Sequence, residues 1–324
     1  MTRVHIVGAA GYAAGDLIRI LEAHPHVELA TLESESAAGQ PVCDVFRGLP
    51  AISQRFDPPG SALDACESDD VVFLAGESEK SRLLAPKFLG AGARVIDLSD
   101  AFRVAHPEAV YGFPERYRDQ IASARLVANP GCYPIASLLA ILPLAYLRDR
   151  ILQIVIDAKS GITGAGRSPK GGSMYAEVDG DVRVYGLPAH RHAKEIGHEL
   201  RAMGIAAPFA FTPHVVPISR GLLADVYLFG DDLPGEAEIR AAFTRAYDGD
   251  PFVRVLDGMR VPYLPALAHT NDAQLAISVR DGIVHIMSGD DNLGKGAAGN
   301  AVQNLNIMCG FPEESGLGHR TPVH

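Results

Sequence analysis

Leu126 to Ser137 reads Leu-Val-Ala-Asn-Pro-Gly-Cys-Tyr-Pro-Ile-Ala-Ser and holds the residue most suited to covalent chemistry, Cys132. An apolar run ends at Asn129, Pro130-Gly131 turns the chain, and Ile135, Leu138, Leu139 and Leu142 then recur at helical spacing. Cys132 is therefore expected at a helix N-terminus, where unpaired N–H groups and the dipole favour an anion and drive a thiol toward the reactive thiolate. A free cysteine is ordinarily a small buried hydrophobe, but a core cysteine needs no tight turn before it. Cys132 is read as a nucleophile. Downstream, Ala189-His190-Arg191-His192-Ala193-Lys194-Glu195-Ile196 offers two histidines spaced i, i+2. In extended chain they face opposite ways, so one of them enters a site. Glu195 and His198 make a metal set conceivable, but the spacing is not H-E-x-x-H, and no metal is expected.

The elements that must position these groups begin at the N-terminus. Val4 to Val7 is a short strand-like run, followed by Gly8-Ala9-Ala10-Gly11-Tyr12-Ala13-Ala14-Gly15 and an amphipathic stretch with Leu17, Ile18 and Leu21. Strand, glycine turn and helix in that order are the setting of a dinucleotide fingerprint, here spaced G-x-x-G. A second strand, Val27 to Leu32, ends in Glu33-Ser34-Glu35-Ser36, the tip that meets an adenine ribose in such a fold. An acid there suits a free 2′-hydroxyl, and small polar or basic groups suit a 2′-phosphate. Asp70 to Ala75 and Arg94 to Ser99 read as buried strands flanking a helix from Ser78 to Leu89. The alternation predicts an α/β, doubly wound parallel sheet. Residues from Ser99 to Glu115 read as loop, including Arg103 and Tyr111.

Beyond the Cys132 helix, Leu152 to Ala158 is a strong strand run entering Ser160-Gly161-Ile162-Thr163-Gly164-Ala165-Gly166-Arg167-Ser168. This nearly matches the phosphate-loop pattern G-x-x-x-x-G-K-[ST], but Pro169, Gly171 and Gly172 forbid the helix that such a loop must open. It reads as a flexible glycine loop beside a ligand. Strand runs near Phe209 to Pro217, Ser219 to Leu228, Ala273 to Val279 and Ile283 to Met287, with a helix from Gly235 to Tyr247, predict an α+β domain with a largely antiparallel sheet. A last helix from Asn292 to Met308, opened by Asp290-Asp291-Asn292, returns to the first domain, and the tail from Phe311 is expected to fray. The expected domains are 1–132 completed by 291–308, then 133–290, with 309–324 as tail.

At 324 residues the chain is long enough for two cores, and its net charge of −10 argues against nucleic acid as a general partner. The four cysteines, Cys43, Cys66, Cys132 and Cys309, are scattered, which fits free thiols in a reducing cytoplasm. No apolar run approaches a membrane span, and Asp16 and Arg19 interrupt any signal-peptide pattern.

The glycine turn, Asn-Pro-Gly-Cys-Tyr-Pro at 129–134 and Asp-Asn-Leu-x-Lys-Gly-Ala-Ala at 291–298 together carry a resemblance nearly end to end. The chain resembles the N-acetyl-γ-glutamyl-phosphate reductases of arginine biosynthesis, within the aspartate-semialdehyde dehydrogenase-like group. Ala14 stands where that family usually has a third glycine, and Glu35 where it often has an arginine for the 2′-phosphate. The resemblance implies NADPH-dependent reduction of an acyl phosphate to a semialdehyde and phosphate through a thioester on Cys132. It implies His192 as proton donor with His190 the second candidate, and the Cys132 backbone N–H, helped by Asn129, around the oxyanion. It implies NADP held by Gly8, Ala10, Gly11, Tyr12, Ala13, Ser34, Ser36, Ser99, Gly164, Gly166 and Asn292, and substrate held by Arg103, Ser160 and Arg220. For both arginines a structural ion pair is an equal reading. The group is usually oligomeric, so a homo-oligomer is expected. Two alternatives stand beside this reading: the same chemistry on aspartyl phosphate or carrier-bound aminoadipyl phosphate, and a cofactor-free thiol acyltransferase or hydrolase.

Overall fold

The structure is a computed structural model that describes residues 1–49, 52–167 and 174–318. The chain divides into two compact units, Met1–Pro130 with Ala297–Gly318, and Gly131–Gly296.

The first unit is built on a six-stranded sheet in the order β2-β1-β3-β4-β6-β5. Its strands are β1 (Thr2–Val7), β2 (Val27–Glu33), β3 (Val71–Leu74), β4 (Arg94–Asp97), β5 (Val110–Tyr111) and β6 (Leu126–Ala128). Every pairing is parallel. Strands covered on both faces read as unbroken apolar runs, and Val71 to Leu74 are all buried. The helix Tyr12–Glu22 buries Leu17, Ile18 and Leu21, each contributing about 1.5–3 kcal/mol relative to exposure. From β1 the chain goes to β2 on one side, while β3 and β4 lie on the other, which makes the β1/β3 boundary a topological switch point. Gly8 is the turn residue there, at φ +86°, and a Cβ on it would stand 2.9 Å from the backbone of Ala75 and Gly76.

Three expectations change. The supposed loop after Ser99 contains β5 and a helix, Pro114–Ser123, whose proline sits in its first turn, where no N–H is needed. The last helix does not begin at Asn292: Gly294–Ala298 forms a wider π-type turn, and the α-helix is Gly299–Cys309. The segment after it does not fray within the described residues. The Asn306 amide donates to the carbonyls of Glu313 and Ser315, and Arg118 pairs with Glu313 at 2.6 Å.

The second unit carries a seven-stranded sheet in the order β11-β12-β13-β10-β7-β9-β8. Its strands are β7 (Ile151–Gly161), β8 (Arg183–Val184), β9 (Phe209–Val216), β10 (Leu222–Gly230), β11 (Val253–Val255), β12 (Ala273–Arg280) and β13 (Ile283–Asp290). Pairings are antiparallel except β7 with β9 and β11 with β12. Leu222, Ala224, Val226 and Leu228 alternate inward along β10, and the helix Cys132–Ile141 packs on β10 and β13. That helix is buried from Tyr133 through Ile141, which explains its apolar composition on every side.

Candidate active site

Cys132 is the first residue of its helix, preceded by Gly131 in extended conformation as the cap. The Gly131 N–H donates to the Glu195 carboxylate at 2.9 Å, and Glu195 is 2 % exposed. On the other flank, a Cβ on Gly296 would stand 2.8 Å from the Cys132 Cβ. Only glycine lets the Asp291–Gly296 turn approach Cys132 this closely. Tyr133 is buried, its hydroxyl donating to the His214 carbonyl at 2.8 Å and accepting from the Tyr185 hydroxyl at 3.3 Å. Burial, with Tyr185 and Cys132 nearby, pushes the Tyr133 phenol far above its ordinary value. Burial likewise raises Tyr185 to about 12, so both phenols stay neutral.

The two histidines do not lie in extended chain. His190 caps the helix Arg191–Ala202, its Nδ1 accepting the His192 N–H at 3.1 Å, and His192 sits in the first turn. The rings are 4.9 Å apart, and both lie edge-on to Tyr133, at 6.0 and 5.8 Å between centroids. The expectation of opposite faces fails because a helix start folds positions i and i+2 round one turn. Burial first, then the Arg191 charge, lowers His190 to about 4. His192 is buried. On this helix His192, Glu195, Ile196 and Glu199 form the buried face at i, i+3, i+4 and i+7. That spacing was the available signal for Glu195 as a support of the turn before Cys132.

Ser160, Gly164 and Asn292 come together in the second unit. The Cβ position of Gly164 lies 3.1 Å from Ser160 Oγ and 3.7 Å from Asn292 Nδ2. Asn292 donates to Thr163 Oγ1 at 3.0 Å and accepts the Gly221 N–H at 2.9 Å, tying the glycine turn to the start of β10. Gly166 turns the chain at φ +86°. The Ser168–Ser173 stretch of that loop, with Pro169, Gly171 and Gly172, lies outside the described residues. Arg220 forms a two-nitrogen pair with Asp291 at 2.7–3.2 Å, the structural alternative for this residue.

In the first unit the helix Tyr12–Glu22 opens after Gly11 with neither a side-chain cap nor an acid in its first turn. Its N-terminal N–H groups, Ala10 and Ala13 beside them, and the close-packed Gly8 make a turn fit for a pyrophosphate. Tyr12 is exposed. Ser34 is buried and accepts the Ala37 N–H, while Ser36 is exposed. Ser99 donates to Asp97 at 2.7 Å, and burial raises that carboxyl above its usual range. Arg103 donates to the carbonyls of Asn129 and Leu98 at 2.8 and 2.7 Å. The Asn129 side-chain Oδ1 accepts from Asn300 and Asn304 at 2.9 and 3.0 Å, and its Nδ2 donates to the carbonyls of Ala297 and Pro130. Both ends of its side-chain amide are thus engaged inside this unit. Among the described residues one group stands close enough to hold an ion: His5, Cys66 and Asp70. Thr31 and Asp70 already occupy both ring nitrogens of His5, and burial lifts the Cys66 thiol to about 11.

The family described as "Semialdehyde dehydrogenase, NAD binding domain" matches residues 3–124, and "Semialdehyde dehydrogenase, dimerisation domain" matches residues 132–292. The chain is 40 % identical to the N-acetyl-gamma-glutamyl-phosphate reductase of Pelotomaculum thermopropionicum over 97 % of each chain. It is equally identical to that of Citrifermentans bemidjiense over 98 % of each. In fold it matches the crystal structure of aspartate semialdehyde dehydrogenase II from Vibrio cholerae, with a TM-score of 0.76 at 18 % identity, covering 95 % of this chain and 98 % of that one. The Candida albicans aspartate semialdehyde dehydrogenase with NADP matches at 0.76 and 13 %, covering 95 % and 99 %. Matched end to end at this identity, the chain belongs to the N-acetyl-gamma-glutamyl-phosphate reductases, oxidoreductases of the semialdehyde dehydrogenase group.

Proposed function

We propose that the chain reduces N-acetyl-glutamyl 5-phosphate to N-acetyl-glutamate 5-semialdehyde and phosphate, with NADPH as reductant, in arginine biosynthesis. The observation that carries the mechanism is Cys132 as first residue of a buried helix, with its preceding N–H held by the helix that bears both histidines. Cys132 Sγ attacks the acyl carbon, and N–H groups of the first helical turn stabilise the oxyanion. The carbon–oxygen bond to phosphate breaks with its electron pair, and His192 supplies the proton that eases departure. NADPH, when bound, supplies a hydride to the thioester carbon. Once phosphate has left, His192 takes up a proton from solvent, protonates the hemithioacetal oxygen and takes that proton back as the carbon–sulfur bond breaks, so sulfur leaves as thiolate. His190 holds the helix start: with Nδ1 accepting a backbone N–H and its charged form disfavoured, it is a poor acid near neutrality.

The preference for NADP over NAD rests on where the acids of the β2 tip point. The Glu33 carboxylate accepts the Ala62 N–H at 3.1 Å, and Ser34 and Ser36 leave small polar groups beside it for a 2′-phosphate. Support for a homo-oligomer comes from the second sheet, where Tyr227, Phe229 and Met287 are only partly covered. Among the described residues no helix is long and apolar enough to cross a membrane. Phosphate-dependent reduction of NADP, assayed with N-acetylglutamate semialdehyde and with aspartate semialdehyde, tests the reading. Turnover confined to the second aldehyde overturns the substrate, and turnover with NAD alone overturns the cofactor.

A further inference from the structure

The β2 tip departs from an arginine-bearing pattern at Glu35, and the fold brings a cation to that residue from elsewhere. Gly8 and Ala9 both donate their N–H groups to the Glu33 carbonyl, at 3.0 and 2.9 Å. The residues after Glu33 therefore flank the glycine turn, the side on which an adenine ribose lies in a doubly wound sheet. Glu35 there is paired with Lys80, which stands 45 positions later in the chain. Lys80 belongs to the first turn of the helix Ser78–Gly90, directly after β3, and β3 neighbours β1 in the sheet. Both side chains are open to solvent, 57 % exposed for Lys80 and 72 % for Glu35.

We propose that Lys80 is the residue that recognises the 2′-phosphate of NADP, with Glu35 holding the ammonium group in place until that phosphate displaces it. The inference rests on the NADP reading above. An exposed lysine–carboxylate pair is weak and screened, so a partner with more charge exchanges into it at little cost. A 2′-phosphate carries nearly two negative charges and three acceptor oxygens, and binds an ammonium more strongly than a single carboxylate does. Glu35, Glu77 and Glu33 all favour the protonated amine, so Lys80 is cationic when the nucleotide arrives. Exposed Ser36 can add a hydroxyl donor, and buried Ser34 shapes the turn through Ala37. The cation missing from the β2 tip is thus supplied by the next βα unit.

The test uses the full chain and two probes, adenosine 2′,5′-bisphosphate and 5′-AMP, each titrated calorimetrically. Lys80→Ala should weaken the bisphosphate about tenfold and leave 5′-AMP within about twofold. Glu35→Gln should tighten the bisphosphate about threefold, since the competing carboxylate is gone, and Lys80→Ala in that background should erase the gain. Both positions are exposed, so thermal midpoints should stay at the wild-type value. Equal weakening of both probes, or no change in either while the wild type still prefers the bisphosphate, overturns the role of Lys80 alone. A wild type that binds both probes equally overturns the NADP reading, and the inference falls with it.

Discussion

The Glu195 carboxylate accepts the Gly131 N–H at 2.9 Å, so the helix that carries the histidines holds the turn that delivers Cys132. A buried acceptor facing a buried N–H is expensive to remove, about 1–3 kcal/mol for the group left unsatisfied. Glu195→Ala should lower stability by that order and reduce kcat, because the position of Cys132 then relies on its own helix. Glu195→Gln keeps an acceptor oxygen and should recover most of both. Denaturant unfolding with steady-state kinetics on the two variants decides it. An alanine variant with wild-type midpoint and kcat would show that the bond positions nothing.

Cys132→Ser should abolish turnover while binding of adenosine 2′,5′-bisphosphate is retained. The serine hydroxyl is not ionised near neutrality, so the helix start no longer holds a populated nucleophile. The substitution removes little volume at a half-buried site, so the fold should survive. Turnover within tenfold of wild type would rule out the thioester.

The parts of this molecule that sequence made legible are those whose pattern is local. Val71 to Leu74 announces a buried parallel strand by composition alone, and Pro130-Gly131 before an apolar-periodic stretch marks the start of the Cys132 helix. What stayed hidden depends on partners far along the chain. Nothing near Glu33 says that its carboxylate meets Ala62, and nothing near Glu35 says that Lys80 meets it. Nothing beside Asn129 in sequence says that its side-chain amide meets Asn300, Asn304 and Ala297, more than 160 positions away. The histidine pair was misplaced for another reason. A histidine is an unusual N-cap, so His190 hid a helix start that a serine or aspartate would have signalled.

Gly296 and Gly8 should be intolerant of alanine for different reasons. At Gly296 the added methyl would press on the Cys132 Cβ at 2.8 Å and the Asp291 carbonyl at 3.1 Å. Overpacking of this kind costs about 1–3 kcal/mol and here moves the nucleophile, so kcat should fall with nucleotide binding intact. At Gly8 the residue must hold φ +86° against the Ala75 backbone, so Gly8→Ala should weaken nucleotide binding and destabilise the first unit. Kinetics and calorimetric nucleotide titration on both variants separate the two effects. A Gly296→Ala enzyme with wild-type kcat would remove the close approach from the argument.

The histidines should separate by what each of their losses changes. Loss of a positioned proton donor typically costs ~10²–10⁴-fold in rate, so His192→Ala should lower kcat within that range with little change in KM. His190 is a cap, and His190→Ala should cost about 1 kcal/mol of stability through the lost acceptor for the His192 N–H. Its titration gives a second readout. In the unfolded chain His190 titrates at its ordinary 6.5, and in the folded protein at about 4. Between those values the unfolded state binds a proton that the folded state does not. The His190 contribution is therefore fully present above about pH 6.5, declines as pH falls toward 4, and is level below that. His190→Asn keeps a capping acceptor but removes the titration, so it should flatten that part of the stability profile while holding kcat near wild type. Denaturant midpoints from pH 4 to 7.5, subtracted variant from wild type, show the difference directly. If His190→Asn instead loses ~10²-fold in kcat while His192→Ala retains its activity, the proton is moved by His190 and the cap is incidental.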